Sequence, residues 1–150
     1  GGLLSGTCVV AASGDHATRV IGCEPAAADD AQASLRQGHI VPQTDPRTVA
    51  DGLRTSLGEY TYPLIARYVQ DIVTVSEESI LLAMRLVWET MKIVIEPSAA
   101  VPVAALLENR VQPAGGRVGV ILSGGNVDLE SLPPWAEIPA LGAPERPPAA

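Results

Sequence analysis

Three short runs rich in β-branched residues limit what this chain can become: RVIGC at 19–23, DIVTV at 71–75 and RVGVIL at 117–122. Each is separated from the next by a stretch long enough to hold helices, and a parallel pair of strands needs a crossover of that kind. Strands alternating with helices predict an α/β domain built on an open, mainly parallel sheet with flanking helices. Composition agrees. The sequence holds no Phe, two Trp and three Tyr, so a core must come from Val, Ile, Leu and Ala, the mixture of buried parallel strands and Ala-rich helices. At 150 residues the chain is one domain's worth.

Local signals place the helices. Residues 3–12 are small and apolar and read as a helix directly behind the opening glycines. Residues 26–37 are Ala-rich and read as a second helix, with Gly38 as its stop. Residues 39–58 carry prolines and glycines and read mostly as loop, followed by a helix at 62–68. Ser76, ahead of Glu77 and Glu78, is a helix N-cap with acids in the first turn. That helix runs to about residue 91, with Ile80, Met84, Val87 and Met91 on one core-facing stripe. A further helix is expected at 99–109, and 117–122 as a buried strand running into Ser123-Gly124-Gly125-Asn126. Prolines crowd the end, so residues 1–130 read as the folded part and 131–150 as a disordered tail.

The net charge of −7 argues against a nucleic-acid surface. No run approaches the ~18 apolar residues of a membrane span, and no signal segment opens the chain. Cys8 and Cys23 form neither a disulfide framework nor a metal cluster, and read as small buried hydrophobes in a reducing, cytoplasmic setting. The first residues, Gly1-Gly2-Leu3-Leu4-Ser5-Gly6, start inside a glycine loop with no initiator Met and read as a fragment or a truncated product.

Four places carry donor sets for chemistry. The opening glycines feed a helix whose N-terminal amides and dipole suit a phosphate, although a plain tight turn has the same residues. Ser123, at a strand's carboxyl end, stands where open α/β sheets meet ligands, and its neutral hydroxyl can bond a ring nitrogen without protonating it. Glu24, Asp29 and Asp30, around a proline-bent loop, offer hard oxygen ligands for Mg²⁺ or Ca²⁺, or else cap a helix. Glu96 is delivered by an apolar run to a helix start, either to face a ligand or to cap that helix. His16 and His39 sit in polar loops, and no Ser/His/Asp set, Walker A or zinc spacing occurs.

In this order the opening glycines, CEPAAADD, VADGLRTSLG, LVWETMKIVIEPSAA and VILSGGNVDL resemble serine racemase and its serine/threonine dehydratase relatives, enzymes of the fold-type II pyridoxal-phosphate class. The resemblance covers roughly residues 1–130 and implies the C-terminal part of that class's large domain. It implies that the amides of Gly1, Gly2 and Leu3 cradle the cofactor phosphate, that Ser123 bonds the pyridine nitrogen, and that Gly52 and Glu96 line the cofactor. Glu24, the carbonyl of Ala28 and Asp30 match divalent-cation ligands, and Thr55 falls where the racemase branch has a serine near the substrate carboxylate. Lys92 and Asn126 fall where the racemase branch has residues around an ATP effector.

The implied activity is α-proton abstraction from serine, threonine or hydroxyaspartate, then β-elimination or reprotonation, in an enzyme that commonly forms homodimers. The chain departs from the family at one decisive point. Its one lysine, Lys92, does not match the Schiff-base position, and members are about twice this length. The competing expectation is therefore a non-catalytic one: a truncated paralogue, or a module binding phosphate or a divalent cation that needs a partner chain.

Overall fold

Two five-residue strands, β1 (Ile21–Pro25) and β2 (Asp71–Val75), pair in parallel, with Ile21 opposite Asp71 and Pro25 opposite Val75. This computed structural model describes residues 1–14, 18–113, 116–138 and 140–142. The parallel pairing follows from what lies between the strands: helix α2 (Asp30–Gln37), a long loop with one 3₁₀ turn at Asp51–Leu53, and helix α3 (Tyr62–Tyr68). Helix α1 (Gly2–Ser13) precedes them, and α4 (Glu77–Met91) and α5 (Pro97–Leu107) follow.

Several boundaries differ from the expected ones for identifiable reasons. The first strand ends at Pro25 rather than residue 23, because a strand's last residue needs no N–H for the ladder. Residues 26–28 turn rather than begin a helix, with the Ala28 N–H donating to the Pro25 carbonyl at 3.0 Å. Helix α2 starts only at Asp30 and stops at Gly38, whose φ of +75° favours glycine. Helix α5 begins at Pro97, where a missing N–H costs nothing.

Ser76 caps α4 by accepting the Ser79 N–H at 3.2 Å. Ile80, Met84 and Val87 are buried as expected, but Met91 is 59% exposed, since the helix ends there in the left-handed Lys92 (φ 60°). Alanines at 99, 100, 104 and 105 let α5 approach α4 closely, and Val75, Ile80, Met84 and Ile95 complete this main core. A second cluster, Ala31, Ile65 and Ile72, joins α2, α3 and β2, with Leu4 of α1 packed on it.

Two expectations need correction. Residues 117–122 are not a buried strand: they belong to no helix or strand, no described strand pairs with them, and Val118 and Ile121 are 47% and 49% exposed. Alternation alone makes an extended segment, whereas a strand also needs a neighbour to bond. Disorder from residue 131 onward does not describe 131–138. There Ile138 is buried in the main core and Trp135 stacks on Trp88. Pro139 and residues 143–150 of the expected tail, and His16, lie outside the described residues. Among the described residues no helix is long and apolar enough to cross a membrane.

Candidate functional site

A cleft of about 1010 Å³ opens between α1, β1, the 52–55 turn, the start of α5 and the segment 117–123. Gly1, Gly2, Leu3, Gly52, Thr55, Glu96 and Ser123 all line it. These residues are up to 122 positions apart in sequence: Gly1 to Leu3 and Glu96 stand at the starts of α1 and α5, while Gly52, Thr55 and Ser123 come from the 3₁₀ turn and the loops. Helix α1 enters with its amino end: the Ser5 N–H is the first to find a helical partner, the Gly1 carbonyl at 2.9 Å. The amides ahead of it are the unpaired donors that every helix start carries, at the positive end of the dipole. Gly1 is pinned from behind, since a Cβ there would stand 2.8 Å from the side chains of Leu57 and Thr61. Gly2 faces open space.

Glu96 and Ser123 form one corner. The Glu96 carboxylate accepts the Asn126 N–H at 3.0 Å, and the Glu96 N–H donates to the Gly124 carbonyl at 3.0 Å. A Cβ on Gly124 would meet that carboxylate at 2.5 Å, so the residue after Ser123 must be glycine for Glu96 to lie here. Ser98, which also lines the cleft, accepts the Gly52 N–H on its Oγ at 3.0 Å and fixes the 52–55 turn to α5. The sequence reading passed over Ser98 and Gly124. The signal available was their position, two residues after Glu96 and one after Ser123. Arg19 and Arg117 also line the cleft, which gives it cationic groups that no motif had marked.

Glu24 is buried at 8% exposure beside the cleft and accepts the N–H groups of Ala31 and Gln32, so it caps α2 from the end of β1. Burial pushes its carboxyl up to about 7, against the pull of those two bonds, and the nearby Asp30 and Asp29 add to the rise. Asp30 is also buried and pushed up, chiefly by desolvation. Its oxygens accept from the Leu57 N–H at 3.2 Å and the Gln43 amide at 3.4 Å. Two buried carboxylates held close in this way suit a hard cation, which would offset both the burial and the mutual repulsion. Ala28 is buried between them in sequence. Among the described residues, however, no group of three or more His, Cys, Asp or Glu side chains is placed to hold a metal. Cys23 lines the cleft as a neutral thiol, pushed up to about 11 by burial and by Glu24.

Lys92 and Asn126 do not line the cleft; the Lys92 ammonium donates to the Glu89 carbonyl at the end of α4. The donors that do line it fit a phosphorylated pyridine, with amides at a helix start and a neutral hydroxyl across the cavity. None of the lining side chains is an amine able to bond the cofactor covalently.

Comparisons with known proteins identify the fold's family. The family described as "Pyridoxal-phosphate dependent enzyme" matches residues 1–124. The beta-hydroxyaspartate dehydratase of Paracoccus denitrificans is 47% identical over 133 residues, which are 89% of this chain and 42% of that protein. The crystal structure of serine racemase from Dictyostelium discoideum superposes with a TM-score of 0.81 at 46% identity, covering 86% of this chain and 42% of that one. The crystal structure of a T.th. threonine deaminase gives 0.75 at 46% identity, over 85% and 47%. This chain thus spans under half the length of each. With residues 1–124 inside the family pattern and the fold shared with two solved members, the chain belongs to the fold-type II pyridoxal-phosphate dependent enzymes.

Proposed function

We propose that this chain forms the cofactor-facing wall of a pyridoxal-phosphate enzyme of the serine/threonine dehydratase and serine racemase kind, acting on serine, threonine or hydroxyaspartate. The observation that carries the reading is the single cleft shared by Gly1, Gly2, Leu3, Gly52, Thr55, Glu96 and Ser123. When bound, the cofactor delocalises the negative charge left on a substrate carbon that has lost its proton. This chain's residues hold and orient. The α1 amides and dipole bind the phosphate. The Ser123 hydroxyl donates to the ring nitrogen and, being neutral, leaves it unprotonated. Glu96, fixed by the Asn126 N–H, would border the ring, and Thr55 would offer its hydroxyl to the substrate carboxylate.

Glu24, the Ala28 carbonyl and Asp30 would hold Mg²⁺ or Ca²⁺, which orders the turn between β1 and α2. An ATP effector would contact Lys92 and Asn126, and the complete enzyme would work as a homodimer in the cytoplasm, where Cys8 and Cys23 stay unpaired. A second reading, a cofactor-phosphate or cation-binding module that depends on a partner polypeptide, is favoured by the exposed apolar walls of the cleft at Leu3, Val118, Val120 and Ile121.

Titration with pyridoxal 5′-phosphate, followed by borohydride reduction and mass spectrometry, tests the proposal. Reversible binding that Ser123→Ala weakens, with no adduct on Lys92, is the expected result. Binding indifferent to Ser123→Ala, or a specific adduct locked on Lys92, would overturn it.

A further inference from the structure

The C-terminal strap at 131–138 reaches the Glu96 corner through two tryptophans. Trp88 lies on α4, and its Nε1–H donates to the Ile95 carbonyl at 2.9 Å. Ile95 immediately precedes Glu96, whose N–H and carboxylate make the bonds to Gly124 and Asn126 described above. Gly125 comes so near Val94 that a Cβ would stand 2.9 Å from its carbonyl oxygen. Residues 94–96 and 124–126 are therefore two backbones crossing in contact outside any ladder, and the indole bond ties the first of them to a helix.

The Trp88 ring is itself clasped. Trp135 stacks on it with centroids 5.3 Å apart and planes at 24°. Arg85, on the same helix, lies over the Trp135 ring at 5.3 Å and donates through Nη1 to the carbonyls of Trp135 (3.3 Å) and Ile138 (2.7 Å). Arg85 thus holds the Trp135 ring, Trp135 in turn stacks on Trp88, and the angle at which the Trp88 indole is held sets the direction of its N–H.

We infer that Trp88 is a positioning residue: stacked on by Trp135, which Arg85 holds in place, it sets where Glu96 and Ser123 stand in the cleft, so the strap shapes the cofactor-facing corner from behind. What the corner holds rests on the function proposed above; the clasp does not.

Amide hydrogen exchange on the full ¹⁵N-labelled chain tests it. Trp88→Phe keeps a ring and removes the donor, and Trp135→Leu removes the stack. Trp135 is 38% exposed, so its variant keeps the test standing if Trp88→Phe does not fold. Both should exchange the Glu96 and Asn126 amides about tenfold faster while the β1–β2 ladder keeps its rates. Wild-type rates at Glu96 and Asn126 in either folded variant overturn the inference. Equal acceleration in the ladder does so too, because it reports only a general loss of stability. Pyridoxal 5′-phosphate added to the wild-type chain separates the two readings. If the Gly2 and Ser123 resonances do not move, the cofactor reading falls, and the exchange rates still decide the clasp.

Discussion

Helices α1 and α5 are both apolar, uncharged and almost equal in length, yet one is sealed and the other is not. In α5, Pro97, Ala99, Ala100, Val101, Ala104 and Ala105 are buried against α4 and the strands. In α1 only Ser5 and Cys8 are buried, while Leu3, Val9 and Val10 face outward. A helix apolar on every side is ordinarily an interior helix. The difference thus lies in what stands opposite rather than in the helix: α5 has α4, whereas α1 rests on α3 along one side only and otherwise faces the cleft and the exposed valines of 117–122. The face that carries the candidate site is also the face with the least packing.

The sharpest way to break this contrast is to cut into both faces. Met84→Ala, at a fully buried position on α4, should cost about 2–5 kcal/mol and lower the melting temperature by roughly 2–4 °C per kcal/mol. Val10→Ser on α1 should change stability by less than ~0.5 kcal/mol. Comparable losses in thermal melts would mean that α1 is packed as tightly as α4.

The pH dependence probes the border between the faces. The Glu24 carboxyl sits near 4.5 in the unfolded chain and at about 7 when folded, so the folded state prefers it protonated. Stability should therefore fall as pH rises from 4.5 to about 7 and stay level above that, by about 3 kcal/mol for this group. Urea midpoints across that range measure the slope. Glu24→Gln should flatten it, and Mg²⁺ should do so in the wild type if Glu24 and Asp30 take a cation. A slope untouched by Glu24→Gln would remove Glu24 as its source.

Local signals were legible wherever they acted locally. The Tyr62–Tyr68 helix, the Asp71–Val75 strand and the Ser76 cap stand where the sequence places them, because a proline near the start, β-branched alternation and a capping hydroxyl act over a few residues. Of the cleft residues, the opening glycines, Glu96 and Ser123 were legible from local pattern, whereas the resemblance alone supplied Gly52 and Thr55 and the grouping of all of them. What composition concealed was long-range. RVGVIL has a strand's pattern, but pairing depends on a neighbour that no local signal reports. The proline content of 131–138 hid Trp135 and Ile138, whose anchors, Trp88 and Arg85, lie about fifty residues earlier. The start of α2 was misplaced because its cap, Glu24, comes from the preceding strand.

Two glycines sharpen the comparison at the smallest scale. Gly124→Ala would drive a Cβ into the Glu96 carboxylate, and the side chain can swing away only by giving up the Asn126 N–H, which should cost about 1 kcal/mol and loosen the corner. Gly2→Ala meets nothing within 4 Å, and alanine is the better helix former, so stability should hold or rise by a few tenths of a kcal/mol. Yet the added methyl stands at the amino end of α1, where glycine lets a ligand approach the backbone amides closely. Pyridoxal 5′-phosphate should bind Gly2→Ala about tenfold more weakly, roughly the loss of one charge-assisted hydrogen bond, while the melting temperature does not fall. Isothermal titration beside a thermal melt reads both. Weaker binding at unchanged stability assigns Gly2 to the ligand rather than to the fold, whereas unchanged affinity would move the phosphate away from α1.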